Sequence, residues 1–329
     1  MTRMTYRQAL RQALLEEMMR DERVFLMGQD IAVEGGMWEV TKGLLDLVGP
    51  DRILDTPISE TAILGAALGA AMAGLRPIVE IMYNDFLPAG MDQLVNQIAK
   101  SRYMFGGQIS VPMVIRAPCG YGFGLAAAHS QSLEAWFAHL PGLYVVMPAT
   151  PASAKSLLKS SIRNGNPIVF IEHCLLYNEE GEVPEDQTFV PPLGKASELR
   201  SGRDLTLVAW SLMTSRCMEA ADTLDAQGVS AAVIDLQTIA PLDIQTIAKS
   251  VRQTGRLAIA QQACERFGVG AEIMAQLAEM VGGMLAPPIR IAGKNIPIPF
   301  AEVLEQHAIP SVKDIVDASM RLVKGGAGK

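Results

Sequence analysis

The residues from 55 to 82, DTPISETAILGAALGAAMAGLRPIVEIM, contain the pattern that sets the architecture of this chain. An extended segment, 52–58, includes Pro57, which disfavours helix in the residue before it. Ser59 is a preferred helix N-cap, and a run rich in Gly and Ala follows it. The apolar segment 77–82 then predicts a buried strand. A strand, a helix and a second strand in this order predict a βαβ unit, from which parallel sheets are built.

The same alternation continues on both sides of this unit. Apart from 52–58 and 77–82, the predicted strands are 24–27, 111–116, 143–147, 168–172, 205–210, 231–236 and 257–260. The other predicted helices are 6–20, 38–48, 91–103, 132–138, 152–163, 215–227, 244–254, 271–280 and 313–322. Between 178 and 204 the periodicity fails, and prolines and acidic residues accumulate. We therefore predict an α/β protein with two parallel-sheet domains, 1–190 and a smaller 205–329, joined by a linker at 191–204.

Composition excludes several classes of function. Apolar residues make up 49% of the chain, which is ample for a core, and the formal net charge is −7. The acidic balance argues against nucleic-acid binding. The longest smooth apolar run, 62–75, is shorter than the ~20 residues that a membrane span needs, and the N-terminal residues lack the apolar core of a signal peptide. The four cysteines form no CxxC motif, which favours reduced thiols in a cytoplasmic protein.

Polar residues follow four of the predicted strands, where the ligands of open parallel sheets bind. They are Gln29, Asp30, Glu60, Asn84, Asp85 and His129. From position alone, Glu60 could simply complement a helix dipole, and His129 could be a hydrogen-bonded core residue. No P-loop, GxSxG or HExxH motif occurs, and no GxGxxG follows the first strand, so nucleotide, hydrolase and metalloprotease functions are not indicated.

Motifs along nearly the whole chain, from about Thr5 to Leu322, resemble the E1 β subunit of thiamine-diphosphate-dependent 2-oxo acid dehydrogenase complexes, including the acetoin dehydrogenase type. The matching stretches are 55–60, 65–76, 101–107, 129–132, 140–143, 166–169, 181–184, 235–236, 241–243 and 268–272. The resemblance implies a transketolase-like pyrimidine-binding domain followed by a transketolase C-terminal-like domain.

The resemblance also implies residue roles. Glu60 would hydrogen-bond the aminopyrimidine ring of thiamine diphosphate and pass it a proton. Phe86 would stack on that ring, Ile58 would add a contact, and Met82 would line the substrate pocket. His129 would protonate a lipoyl sulfur during acyl transfer or steer the substrate carboxylate, since imidazole exchanges protons near neutral pH. The implied activity is decarboxylation of a small, pyruvate-like 2-oxo acid, or cleavage of acetoin, with acyl transfer to a lipoyl-bearing E2.

One motif of such enzymes is missing. Thiamine-diphosphate enzymes usually hold Mg²⁺ and the diphosphate through a Gly-Asp-Gly motif, and this chain contains none. The resemblance therefore implies an α subunit that supplies the residues binding Mg²⁺ and the diphosphate, in an α₂β₂ heterotetramer. The small-residue helix at 63–75 would suit such an interface.

The chain departs from the family pattern at three places: Gln29 replaces a common Glu, Ala128 a polar residue, and Gln261-Gln262 a more acidic pair. Some relatives also bind K⁺ through backbone carbonyls. The matching positions here are Met113, Ser161, Ile162, Asn164 and Asn166, although an ordinary helix-to-strand turn explains these residues equally well.

Two alternatives to the E1 function stay open at this point. One is a thiamine-diphosphate-dependent carboligase subunit, which would form an acyloin in a biosynthetic pathway. The other is a structural subunit that docks an E2 core, although such a chain need not keep both Glu60 and His129.

Overall fold

The computed structural model describes residues 1–186 and 188–325. The chain divides into two compact units. Unit 1 comprises Met1–Gly120 and Trp136–Leu193, and unit 2 comprises Tyr121–Ala135 and Gly194–Lys329. The segment Tyr121–Ala135 is therefore grouped with the C-terminal half of the chain, although it lies within the N-terminal half of the sequence.

The described residues of unit 1 form a sheet with six parallel strands and a separate two-stranded ribbon. Its strands are β1 (Thr2–Thr5), β2 (Val24–Gly28), β3 (Ile53–Asp55), β4 (Arg76–Glu80), β5 (Val114–Cys119), β6 (Tyr144–Val146), β7 (Ile168–His173) and β8 (Glu180–Val183). The α-helices before residue 194 are α1 (Tyr6–Arg20), α2 (Leu45–Val48), α3 (Glu60–Met72), α4 (Ser101–Met104), α5 (Glu134–Ala138) and α6 (Pro151–Arg163). The parallel order is β6-β7-β5-β4-β2-β3, and β1 pairs with β8 in a separate antiparallel ribbon.

The longer helices of unit 1 begin at side-chain caps. Thr5 and Thr150 each form a capping box with the residue three positions later, which satisfies backbone N–H groups at the starts of α1 and α6. The two helices pack against each other, and the buried Glu17 of α1 binds Arg163 of α6 (2.7 Å). A charged residue can be buried here because its partner offsets the loss of hydration.

Unit 2 repeats the architecture on a smaller scale. Its strands are β9 (Ser197–Arg200), β10 (Leu205–Ala209), β11 (Ala231–Asp235), β12 (Thr238–Ala240), β13 (Leu257–Cys264) and β14 (Ile289–Gly293). Its helices are α7 (Leu212–Asp225), α8 (Ile244–Thr254), α9 (Val269–Met280), α10 (Glu302–Ala308) and α11 (Val312–Gly325). The described part of unit 2 forms a five-stranded sheet of order β14-β13-β10-β11-β9, in which β9 is antiparallel to β11 and the other pairs are parallel.

The predicted α/β class with two parallel-sheet domains is confirmed, while several element predictions were wrong. Only 45–48 of the predicted helix 38–48 is helical, because Gly43 adopts a left-handed conformation (φ 72°) that a right-handed helix cannot continue through. The predicted helix 91–103 is instead a π-helical turn, Gln93–Ile98, followed by α4. Strand β9 lies inside the stretch 191–204 that was predicted as a linker. Among the described residues, no helix has both the length and the apolar character that crossing a membrane requires.

Candidate active site

The carboxyl ends of β3, β2 and β4 lie side by side at one edge of the unit 1 sheet. Two hydrogen bonds hold the loops that leave this edge. The Thr56 N–H donates to the Gly28 carbonyl oxygen (2.9 Å), and the Ala32 N–H donates to the Asp55 carboxylate (2.8 Å). This is the edge at which ligands of open parallel sheets bind.

Glu60 is the first residue of α3, just beyond this edge. Ser59, in an extended conformation, caps the helix by accepting a hydrogen bond from the Ala62 N–H (3.4 Å). The half-buried Glu60 carboxylate thus lies at the positive end of the helix dipole. Nearby in the chain, Ile58 is 84% exposed. The Thr56 hydroxyl oxygen is buried and has no hydrogen-bond partner among the described residues. A polar group of a bound ligand could therefore form a hydrogen bond with it.

Phe86 and Met82 follow β4. The 3₁₀ helix Asn84–Gly90, which carries Phe86, is joined to the start of α3, because the Thr61 hydroxyl donates to the Ala89 carbonyl (2.7 Å). Gly90 allows this approach, since a Cβ there would lie 3.3 Å from the Glu60 carbonyl oxygen and 2.5 Å from a Leu64 methyl. The structure therefore brings the elements of Glu60 and Phe86 together.

The half-buried Phe86 ring makes an edge-to-face contact with Tyr83 (5.8 Å between ring centres). Met82 is also half-buried and follows β4 by two residues. The Phe86 ring and the Met82 thioether both follow β4 and are only half-buried, so they offer apolar surface of the kind that a heteroaromatic ligand requires.

A buried ionic cluster lies on the three central strands of unit 1. Arg116 on β5 binds Glu80 on β4 (2.5 Å) and forms a bidentate ion pair with Glu172 on β7 (2.6 and 2.8 Å). The Tyr177 hydroxyl donates to Glu172 as well (2.7 Å). Burial raises the pKa of Glu80, with Arg116 opposing that effect. Burial also disfavours the Arg116 cation, but the two carboxylates outweigh it and keep the pKa of Arg116 above its ordinary value.

Sequence reasoning missed this cluster. The available signal was a charged residue inside each of three otherwise apolar strands, since an unpaired charge is almost never fully buried. That signal shows that partners exist but does not show which residues they are.

His129 lies in the segment that belongs to unit 2. The segment contains left-handed residues at Gly122, Gly124 and Ala126 (φ 105°, 63° and 59°), and the His129 N–H donates weakly to the Ala126 carbonyl (3.5 Å). Its imidazole is half-buried, and the next residue, Ser130, is buried. Before His129, the Gly122 N–H donates to the buried Glu305 carboxylate of α10 (2.8 Å).

Two buried acids of unit 2 also have altered ionisation. Asp235, at the end of β11, has its pKa raised by burial to about 7, and the Thr214 hydroxyl hydrogen-bonds it (3.1 Å). Burial likewise raises the pKa of Glu134, whose carboxylate accepts a hydrogen bond from the Trp210 indole (3.3 Å).

The structure shows the burial or the hydrogen bonds of each residue that departs from the family pattern. Gln29 is buried at the end of β2, whereas Ala128 is exposed. Gln261 fixes the end of β13, because its amide oxygen accepts from the Gly270 N–H (2.9 Å) and its nitrogen donates to the Cys264 carbonyl (2.9 Å). Gln262 donates to the Ser132 hydroxyl (2.8 Å).

Four of the predicted K⁺ positions, from Ser161 to Asn166, lie at the end of α6 and in the turn after it, and the fifth, Met113, directly precedes β5. Arg76 donates to the Ile162 carbonyl (2.7 Å) and the Asn164 carbonyl (3.1 Å), and the Met113 carbonyl accepts from the Ile168 N–H (3.0 Å). Each carbonyl oxygen has a second lone pair, so these bonds leave the ion site a prediction.

Family models match both units. The model described as "Transketolase, pyrimidine binding domain" matches residues 2–179, and "Transketolase, C-terminal domain" matches residues 194–315. A solved structure titled "Split gene transketolase, inactive beta4 tetramer" has the same fold, with a TM-score of 0.79, 22% identity and coverage of 98% of each chain. The class is thus a two-domain transketolase-type protein.

Curated relatives narrow the class. The chain is 46% identical to "Pyruvate dehydrogenase E1 component subunit beta" of Rhizobium meliloti, over 97% of this chain and 69% of the relative. It is 44% identical to "Acetoin:2,6-dichlorophenolindophenol oxidoreductase subunit beta" of Cupriavidus necator, over 97% of both chains. The mitochondrial pyruvate dehydrogenase β subunit of Bos taurus is 45% identical, over 95% of this chain and 89% of the relative. The chain belongs to the family of E1 β subunits of pyruvate and acetoin dehydrogenases, which confirms the resemblance predicted from its motifs. These relatives give no support to the carboligase alternative.

Proposed function

We propose that this chain is the β half of an E1 enzyme that decarboxylates pyruvate or a similar small 2-oxo acid, or cleaves acetoin, and passes the acyl group to a lipoyl-bearing E2. One observation carries the proposal. The start of α3, which carries Glu60, contacts the 3₁₀ helix that carries Phe86, at the ligand-binding edge of a pyrimidine-domain sheet. The family is thiamine diphosphate dependent, and the bound cofactor supplies the nucleophilic carbon and the electron sink.

The residues at this edge fit the pyrimidine half of that cofactor. Glu60 would hold and move a proton at the ring nitrogen, since its half-buried carboxylate lies just beyond the ligand-binding edge of the sheet. Phe86 would support the ring face, Ile58 would add a contact, and Met82 would border the substrate pocket. The unsatisfied Thr56 hydroxyl is a further polar atom at this edge.

The remaining parts belong to the partner or to later steps. An α subunit would hold Mg²⁺ and the diphosphate in an α₂β₂ assembly. When one sulfur of the lipoyl disulfide takes the acyl group and the S–S bond breaks, His129 would give a proton to the other sulfur. The proposed domain boundaries are those predicted from the sequence: pyrimidine-binding at 1–190, a linker at 191–204 that includes β9, and C-terminal at 205–329. A cytoplasmic location is supported by four free cysteines, and the ion site at the end of α6 would hold K⁺.

The test uses the chain assembled with its α partner. The first step is followed as CO₂ release from a 2-oxo acid, or as acetaldehyde release from acetoin, with the dye 2,6-dichlorophenolindophenol as the electron acceptor. Acyl transfer is followed with a lipoyl domain. Glu60→Gln should lower both rates by about 10²–10⁴-fold, as expected for loss of a proton-transfer group. His129→Gln should lower acyl transfer by a similar ~10²-fold while sparing most CO₂ release.

Glu302→Gln is the matched control, since Glu302 also lies in the first turn of a helix, α10. It should leave both rates unchanged. Full activity of Glu60→Gln would remove Glu60 from the site. Failure of the chain to form any thiamine-diphosphate-binding complex would overturn the proposal as a whole.

A further inference from the structure

The loop that carries His129 is fixed to unit 2 on its N-terminal side. The Arg216 guanidinium of α7 lies over the Tyr121 ring (5.4 Å to the ring centre), and Glu305 of α10 binds the Gly122 N–H (2.8 Å). Both contacts precede His129, and both come from helices of unit 2.

The loop is fixed on its C-terminal side as well. The Gln262 side-chain amide donates to the Ser132 hydroxyl (2.8 Å), and the Trp210 indole donates to Glu134 (3.3 Å). Gln262, Glu134 and Trp210 are 7%, 1% and 2% exposed, so these bonds are shielded from competing water.

The backbone between these anchors has little order of its own. From 122 to 133 the described residues form turns and bends without a helix or strand, and Gly124 and Ala126 adopt left-handed conformations. Such a segment depends on side-chain anchors for its position, because it lacks the repeating backbone bonds of regular structure.

We propose that Gln262 is a positioning residue for His129. Gln262 lies at the end of β13, where the bonds of Gln261 to Gly270 and Cys264 make the strand end rigid. Its bond to Ser132, three residues after His129, transmits that rigidity to the imidazole. The inference rests on the proposed role of His129 in acyl transfer. A general acid must lie within hydrogen-bond reach of its target, and a misplacement of about 1 Å can cost about 10²-fold in rate.

The test compares three substitutions in the assembled αβ enzyme. Gln262→Met keeps the volume and removes the hydrogen bond, whereas Gln262→Glu keeps a bond, because the Ser132 hydroxyl can donate to the carboxylate. Gln276→Met is the control, since Gln276 of α9 also donates a side-chain hydrogen bond, to Glu272 (2.7 Å). Two rates are measured for each variant: acyl transfer to a lipoyl domain, and CO₂ release with 2,6-dichlorophenolindophenol present as the electron acceptor.

We expect Gln262→Met to slow acyl transfer about tenfold, because the His129 imidazole would be only partly displaced. CO₂ release should change little. Gln262→Glu should restore most of the transfer rate, and Gln276→Met should match the wild type. Ser132→Ala should equal Gln262→Met, and the double variant should be no slower than either.

An unchanged transfer rate in Gln262→Met, an equal loss of CO₂ release, or additive effects in the double variant would each overturn the inference. His129→Gln separates this outcome from failure of the proposed function. If His129→Gln slows transfer while Gln262→Met does not, only the positioning role is lost. If His129→Gln transfers at the wild-type rate, the proposed role of His129 itself is wrong.

Discussion

Units 1 and 2 both end a central parallel strand with a buried acid, but they bury that acid in different ways. In unit 1, Glu80 at the end of β4 contacts the Arg116 guanidinium, which also binds Glu172. In unit 2, Asp235 at the end of β11 is bound by neutral groups, the Thr214 hydroxyl and the Gln237 N–H (3.3 Å). Burial raises the pKa of Asp235 to about 7, and the pKa of Glu80 is raised against the opposing effect of Arg116.

The difference shows that one architecture can retain a buried carboxyl group by two physical routes. A guanidinium can offset the lost hydration of a carboxylate, or the carboxyl group can bind a proton and become neutral. The first route makes unit 1 sensitive to loss of the cation, and the second makes unit 2 sensitive to pH.

The largest expected effect is at Arg116. Arg116→Met leaves Glu80 and Glu172 buried without their cation, which should cost unit 1 about 3–5 kcal/mol or prevent its folding. Soluble yield and thermal unfolding measure this loss.

Arg3→Met is the control, because Arg3 pairs with Glu180 at the surface, with side chains 70% and 53% exposed. Adding Glu80→Gln and Glu172→Gln to Arg116→Met should restore part of the stability. If Arg116→Met and Arg3→Met had the same melting temperature, the ionic cluster would not contribute to the stability of these strands.

A pH-dependent effect is expected at Asp235. Its pKa rises from an ordinary 3.8 to about 7 on folding, so the folded state binds the proton more tightly than the unfolded chain. The free energy of unfolding should therefore fall as pH rises from about 4 to about 7, by up to about 4 kcal/mol. Asp235→Asn should remove this fall.

Denaturant unfolding at pH 5 and pH 8 measures the difference. Asp222→Asn serves as the control in the same unit, since the Asp222 side chain is 75% exposed. A wild-type protein whose unit 2 is equally stable at both pH values would contradict the assignment of Asp235 as a neutral buried acid.

The smallest effect is expected at helix starts, where the units also differ. Thr150→Ala removes the capping box of α6 and should lower the free energy of unfolding by about 1 kcal/mol. Ser211 precedes α7 with φ 52° and makes no capping bond, so Ser211→Gly should leave stability unchanged or raise it by up to about 1 kcal/mol. Thermal unfolding of both variants is the measurement. Equal losses would show that the Ser211 hydroxyl stabilises its helix in spite of its geometry.

Much of the fold was predictable, because helices and strands have local patterns. The apolar runs that became β2, β4, β5 and β7 and the capped helices α1, α3 and α6 were all recognised. The failures occurred where conformation depends on distant contacts or on single residues, as at Gly43, at the π-helical turn Gln93–Ile98 and at the short strand β9.

The candidate site was predictable in part. Motifs located Glu60, Phe86 and His129, and the structure places the first two on elements that touch. Their chemical roles stay predictions. Gln262 was recognised only as a departure from the family pattern, because its bond to Ser132 spans 130 residues of sequence.

The sequence by itself determined the α/β class, the order of most elements and membership in the E1 β family, because periodicity and motifs are local properties of the chain. Only the tertiary structure decided that Arg116 lies between Glu80 and Glu172, and that Tyr121–Ala135 is held by the elements of unit 2. Such pairings join residues far apart in the chain, and the energy of burying each group depends on which partner the fold brings to it.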